Sequence, residues 1–289
     1  MDGDGTAAST AEAIDVVSAA IGANAGLLRH VRTIADIEAC RRDGHLGFIF
    51  GFEQTGQFGG QVDAITRYAA QGVRIMQLSY NQGSPFGSGV LSAAPTGRTA
   101  SGREAVARTN AGGVTIDLSH SDERTTLDVL AVTAAPAAIT HAGCAAITPH
   151  PRNKSDAVLR AMAKGGGAVG FYELPFLAQP PKQPDIDDYL THVLHALRIC
   201  GEDHVAIGSD GAVQHLARQH ARLSRLGGEA AGPGDRRAWR GSAAVRDGAG
   251  SARPDRDRRH ALNRRGVPAR VVDKIAGGNW LRVFRDTWA

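Results

Sequence analysis

Six short apolar runs, separated by helix-like stretches, limit what this chain can fold into, and most of them stop on a polar side chain. The runs are "LGFIFGF" (46–52), "VRIMQLSY" (73–80), "VTIDLSH" (114–120), "AAITH" (137–141), "GAVGFYE" (167–173) and "HVAIGSD" (204–210). Each has strand length, and most are rich in β-branched or aromatic residues. The spacers "QVDAITRYAAQG", "SDERTTLDVLAVTAA", "SDAVLRAMAKGG" and "DIDDYLTHVLHALRICG" carry apolar residues at helical spacing, and several end on a glycine suited to a helix C-cap. Nearly continuous apolar strands alternating with helices predict a parallel sheet covered by helices. In a barrel of such units the carboxyl ends of the strands converge on one rim, which is where a catalytic site forms. The endings "GFE", "LSY", "DLSH", "ITH" and "GSD" place functional groups on that rim. A single His after a strand is more often a helix cap, but five polar endings on successive strands are hard to dismiss.

A chain of 289 residues is long enough for one such barrel. The expectation is a single (β/α)8 domain: a shortened helical region over 1–28, barrel units over 29–214, an atypical segment over 215–265, and a last barrel element over 266–289. "VVDKIAGGNWLRVF" (271–284) gives that last element a helix-like start and an apolar end. Between His215 and Arg265 stand thirteen arginines against five carboxylates, a surplus of eight in a chain whose total is +4, so the basicity is local and the remainder is mildly acidic. This segment has few large apolar residues and no clear strand, and the sequence predicts an irregular loop there. Its Arg, Ala and Gly bias without lysine, and the abrupt return of pattern at "GVPARVVDKIAGGN", suit a reading-frame change in a GC-rich gene. Its only aromatic is Trp239, and no groove-fitting motif accompanies it, which argues against a specific nucleic-acid partner; any such binding would be non-specific and salt-sensitive. No apolar stretch approaches the ~20 residues of a membrane span. The acidic start "MDGDGTAASTAEAIDVV" lacks secretory-signal features, and Cys40, Cys144 and Cys200 are too few and too scattered for a disulfide framework. Reduced thiols and a cytoplasmic setting are expected.

Glu53, His120 and His141 form a carboxylate and imidazole set that suits Zn²⁺ or a similar ion, with a coordination position left open for water. A water held there becomes a nucleophile near neutral pH. On these residues alone an ion pair at Glu53 with two helix-capping histidines explains the pattern equally well. Arg152, in "HPRNKSD" (150–156), could hold a substrate carboxylate in a bidentate fork. Asp210, in "IGSDG", ends a buried strand where it could take a proton from water or bind an ammonium.

Taken in order, "GFEQ", "GVRIMQLSYN", "NAGGVTIDLSH", "ITHAGC", "HPRNKSD", "AIGSDG" and "IAGGNWLRVF" resemble the membrane, or renal-type, dipeptidases, zinc peptidases built on a (β/α)8 barrel. The likeness covers roughly 29–214 and 266–289. It implies that Glu53 bridges two zinc ions, that His120 and His141 bind the second, that Arg152 grips the terminal carboxylate of a dipeptide, and that Asp210 lies near the substrate amine and the scissile bond. Tyr80 stands where better-studied members have a histidine that polarises the scissile carbonyl; a phenol can donate a hydrogen bond there but cannot become an imidazolium. Asn81 and Asn153, beside Tyr80 and Arg152 in the matching stretches, are candidate substrate contacts. The family opens on a strand ending in His-x-Asp that binds the other ion, and no such pair precedes Glu53. The resemblance therefore implies a barrel lacking its first strand, with an open edge, one complete zinc site, and an atypical segment where the family has helix-forming sequence. A homodimer is implied by kinship alone. The alternatives are a metal-dependent amidohydrolase or lactonase on another substrate, and a catalytically inactive barrel that binds a small ligand.

Overall fold

A computed structural model of the chain describes residues 7–211 and 254–288. Helix α1 (Ala7–Ala23) leads into β1 (Leu28–His30), α2 (Ile34–Asp43), β2 (Leu46–Phe48) and β3 (Phe50–Phe52). Four units follow: α3 (Asp63–Ala70) with β4 (Val73–Gln77), α4 (Ala100–Ala111) with β5 (Thr115–Asp117), α5 (Glu123–Leu130) with β6 (Ala138–Ala142), and α6 (Asp156–Lys164) with β7 (Ala168–Phe171). Helix α7 (Ile186–Cys200) and β8 (Val205–Ile207) end the first described stretch, and α8 (Pro254–Arg264), α9 (Ala269–Asp273) and α10 (Asn279–Thr287) make up the second. Side-chain caps fix several helix starts. Thr33 and Asp185 each form a reciprocal capping box, and Thr99, Asp122 and Ser155 each accept a backbone N–H of the first turn.

Every strand pairs in parallel. Strands β3 to β8 line up in sequence order, and β1 pairs with β2. The all-parallel sheet and its helical cover are as predicted, and each of the six apolar runs contributes strand. Three particulars differ from the sequence reading. The run 46–52 is two short strands, the first half pairing back to β1 and the second forward to β4; β1 itself was not anticipated. Residues 266–288 start as a helix, as expected, but their apolar end, left unassigned by the sequence, is helical as well. Finally, 254–264 is helical, with Ala261 and Leu262 buried and Arg258 ion-paired to Glu173, so the irregular reading fails for the end of the atypical segment. The rest of that segment, 215–253, lies outside the described residues. Within the described residues β3 and β8 are not paired with each other.

Two apolar layers hold the sheet. The outer one packs Met76, Ile116, Ile139, Val169 and Val205 of the strands against Ile65, Leu159 and Val193 of the helices. The inner one joins Ile75, Ala168 and Ile49 to Val283, Phe284 and Trp288 from the last helix region. Helix α10 and Trp288 after it are bonded mostly around the amino ends of the strands: Asn279 donates to Glu202 O and Val205 O, Arg282 to Gly166 O and Asp203 O, and Trp288 to the Thr115 hydroxyl, while Trp280 reaches Ile207 O at the last residue of β8. Gly170 admits it, since a Cβ there would meet the Trp280 ring at 2.9 Å and Thr140 O at 2.3 Å. The amino end of the sheet is thus filled, and the carboxyl end carries the polar groups. Cys40, Cys144 and Cys200 are buried and unbridged. No helix among the described residues is long and apolar enough to cross a membrane.

Candidate metal centre

Glu53 directly follows β3, His120 lies in the turn after β5, and His141 sits within β6. The fold brings all three together, with ligand atoms within 4.8 Å of one another. His120 Nε2 is 3.1 Å from Glu53 Oε1 and 3.0 Å from His141 Nε2; His141 Nε2 is 3.9 Å from the same carboxylate oxygen. Both imidazoles are buried and Glu53 is about half exposed, which leaves the cluster open on one side.

Hydrogen bonds set which ring nitrogen faces inward. Asn81 Oδ1 lies 2.8 Å from His120 Nδ1 and can only accept, so Nδ1 carries the proton and Nε2 a lone pair. The Thr140 hydroxyl, 2.8 Å from His141 Nδ1, donates to the Asp117 carboxylate and therefore accepts from the imidazole. His141 Nε2 is then a lone pair too. Burial, reinforced by Arg152, holds the His120 imidazole down at about 2, and burial holds His141 down at about 4 against the pull of Asp117, so both rings are neutral near pH 7. Two facing ring nitrogens and a carboxylate oxygen make an electron-rich nest, with the Arg152 guanidinium donating to one of the nitrogens from the side. The donor set fits a borderline divalent ion, with each histidine oriented through its other nitrogen as metal-binding histidines are.

A backbone irregularity makes the His141 arrangement attainable. Between Ile139 and Ala142 strand β6 advances three residues while β7 advances two. This bulge turns Thr140 and His141 to the same side, where regular pleating would oppose them. Asp117 organises what lies beneath: its carboxylate accepts from Ser119 N and Oγ, from Thr140 N and from the Thr140 hydroxyl, and Ser119 Oγ in turn accepts from His141 N. Sequence reasoning passed over Asp117, Ser119 and Thr140. The available signal was a carboxylate at an inward position of a fully buried strand, "TID".

Arg152 is buried beside the ligands, donating to Ser119 O and, at 3.1 Å, to His120 Nε2, with its guanidinium 5.9 Å from the Tyr172 ring centroid. Tyr80 stacks on His120 with centroids 4.3 Å apart. Asp210 stands at the rim with a left-handed backbone, φ 53°, and its carboxyl is pushed up to about 6 by the protein around it and then by Glu53. The two asparagines are tied into the protein's own hydrogen bonds. Asn81 serves His120 through its side-chain oxygen. Asn153 is buried, donates to Thr148 O and Phe176 O and accepts from the Tyr172 hydroxyl, so its side chain holds the 148–153 loop.

Comparison with known proteins identifies the family. Residues 2–218 match the family model described as Membrane dipeptidase (Peptidase family M19). A protein of the pqqA 5′ region of Klebsiella pneumoniae is 32% identical over 278 residues, covering 93% of this chain and 92% of that protein. A solved amidohydrolase from Pseudomonas aeruginosa superposes with a TM-score of 0.85 at 31% identity, over 98% of this chain and 86% of the other. A metallo peptidase from Rhodobacter sphaeroides, liganded with a phosphinate mimic of the dipeptide L-Ala-D-Ala, gives a TM-score of 0.74 at 25% identity, over 90% of this chain and 69% of the other. The chain spans about half the length of three further relatives that bear dipeptidase names.

Proposed function

This chain belongs to the membrane dipeptidase family, and from that premise we propose that it hydrolyses the peptide bond of dipeptides, using a divalent cation held by Glu53, His120 and His141. Zinc is the ion this reading names, because imidazole and carboxylate donors on a rigid, partly open site suit it. The observation that carries the proposal is the pair of inward-facing, neutral Nε2 atoms 3.0 Å apart beside a carboxylate. When bound, such an ion makes water nucleophilic near neutral pH and offsets negative charge developing on the carbonyl oxygen.

The chain's own groups supply the rest. Arg152 exchanges its bonds to Ser119 O and His120 Nε2 for the terminal carboxylate of the substrate, which fixes the register of the peptide bond at the rim. Asp210 as carboxylate accepts a proton from the attacking water and passes it to the leaving amine. The Tyr80 phenol, held flat on His120, donates a hydrogen bond to the carbonyl oxygen as negative charge grows there. Asn81 and Asp117 keep the two imidazoles in the proton state a cation needs. The three unbridged thiols accord with the cytoplasmic setting, and a homodimer belongs to the same reading by kinship.

The test is zinc content per chain after chelation and reconstitution, with hydrolysis of a dipeptide panel followed on the same sample. Bound zinc with turnover, both lost in His141→Ala, is the expected result. A folded protein that retains no zinc and cleaves no dipeptide would overturn the proposal. Zinc uptake with turnover of lactones or cyclic amides alone would move the substrate to the amidohydrolase alternative.

A further inference from the structure

The reading above leaves one buried charge near the centre without a task. Lys154 is 3% exposed and forms no ion pair among the described residues. Its Nζ donates to Leu118 O at 3.0 Å and to Ser121 O at 2.6 Å. Those are the first and last carbonyls of a turn closed by Ser121 N donating to Leu118 O at 3.2 Å, and His120 is the third residue of that turn. The two middle carbonyls are also taken: Ser119 O by Arg152 and His120 O by Val90 N. The backbone of Lys154 is tied elsewhere. Its N–H donates to Gly143 O and its carbonyl accepts from Ala145 N, both at 2.9 Å, just beyond the strand that carries His141. One residue therefore spans the carriers of both imidazoles, with its main chain on the His141 side and its ammonium on the His120 side.

We propose that Lys154 is a positioning residue that sets the spacing of the His120 and His141 rings by stapling the 118–121 turn to the end of β6. The inference rests on the reading of those rings as cation ligands. An ammonium suits the position because it offers several charge-assisted donors to converging carbonyls, which no apolar side chain of equal length can do. Burying it without an acidic partner is unfavourable. Burial, with Arg152 adding to it, lowers the amine to about 7, a strain that the two carbonyl bonds offset.

Lys154→Met tests this by removing both donors: Leu118 O keeps the Ser121 N–H, whereas Ser121 O is left without one, because the Thr126 hydroxyl donates to Asp122 O at 2.7 Å. In the metal-free variant, histidine-selective nitrogen NMR should show the His120 and His141 ring signals displaced while those of His192, on α7, stay in place. Zinc affinity by chelator competition should fall by about ten- to a hundredfold, with the circular dichroism spectrum unchanged. Lys154→Gln, which keeps N–H donors without charge, should fall between the two and carries the same measurements if the methionine variant does not fold. Unmoved ring signals with unchanged zinc affinity would overturn the positioning role and leave the cation site standing. Displaced ring signals in a protein whose wild type takes up no zinc would do the reverse.

Discussion

Asp117 shows how a carboxylate governs a reaction centre it does not touch. Its bonds to Ser119 and Thr140 decide that His141 presents a lone pair, so replacing it tests the tautomer argument directly. Asp117→Asn keeps the shape, weakens every bond it accepts and sets an amide N–H against the Thr140 hydroxyl. Chelator competition should show zinc affinity lowered by about ten- to a hundredfold, and equal affinity would mean that Thr140 alone sets the ring. Asp210 offers a second test at this scale. Its carboxyl stands near 6 in part because Glu53 repels a second negative charge, so an NMR titration of metal-free Glu53→Gln should find the Asp210 midpoint lower than in wild type. The form that accepts protons is the carboxylate, so turnover should rise with pH through the Asp210 midpoint; a bound cation would move that midpoint down. Glu53, His120, His141, Arg152 and Asp210 were legible because each closes or follows an apolar run. Asp117, Thr140 and Lys154 were not, because their roles depend on a bulge and a turn that no local pattern announces. Asn81 and Asn153 were visible as polar residues in the right stretches, but sequence spacing cannot say whether an amide faces a ligand or its own fold.

The loop from Tyr80 to Arg98 and helix α7 hold the rim from two sides. Gly89 lies so close to the Tyr80–Asn81 turn that a Cβ would fall 1.8 Å from Tyr80 O and 2.4 Å from Asn81 O. Those atoms are backbone, so Gly89→Ala must shift the turn that carries Asn81, at a cost of about 1–3 kcal/mol. Denaturant unfolding should register that loss, and weaker zinc binding should accompany it. On the other side His192 of α7 accepts from Cys144 N at 2.8 Å and donates to Leu177 O at 3.0 Å, and burial lowers its pKa below the ordinary histidine value. The unfolded chain takes up a proton at about pH 6.5 while the folded one resists it. The stabilisation from this residue is therefore complete above that pH and declines as pH falls below it, by at most ~1.4 kcal/mol per pH unit for one group. Unfolding free energies measured from about pH 7 down to about pH 5 should fall less steeply in His192→Gln than in wild type. At this scale the sequence was a good guide to which segments are strand or helix. It was a poor one where tertiary pairing decides, as in the splitting of 46–52 between two partners, the three-residue strand at Leu28–His30, and the helix at 254–264 whose few apolar residues find a place only against the finished sheet.

The architecture separates stability from chemistry by placing them at opposite ends of the strands. Read linearly, "VVDKIAGGNWLRVF" has a helix-like start and an apolar end. In three dimensions that end is helical too, because the sheet offers it an apolar surface lined by Ile49, Ile75 and Ala168 and ringed by carbonyls. A strand there would bury one face, whereas helix α10 satisfies its own backbone and places Trp280, Val283 and Phe284 inward while Asn279 and Arg282 bond the carbonyls of residues 166, 202, 203 and 205. Phe284 stacks between Trp280 and Trp288, and cutting it to alanine should leave a cavity costing about 3–5 kcal/mol. Phe284 packs with Trp280 and Trp288, away from the ligands for the cation, so Phe284→Ala should lower the unfolding midpoint while leaving zinc affinity within a few-fold of wild type. Should affinity fall in step with stability, the strands would be carrying strain from the filled end to the rim, and the two ends would form a single cooperative unit.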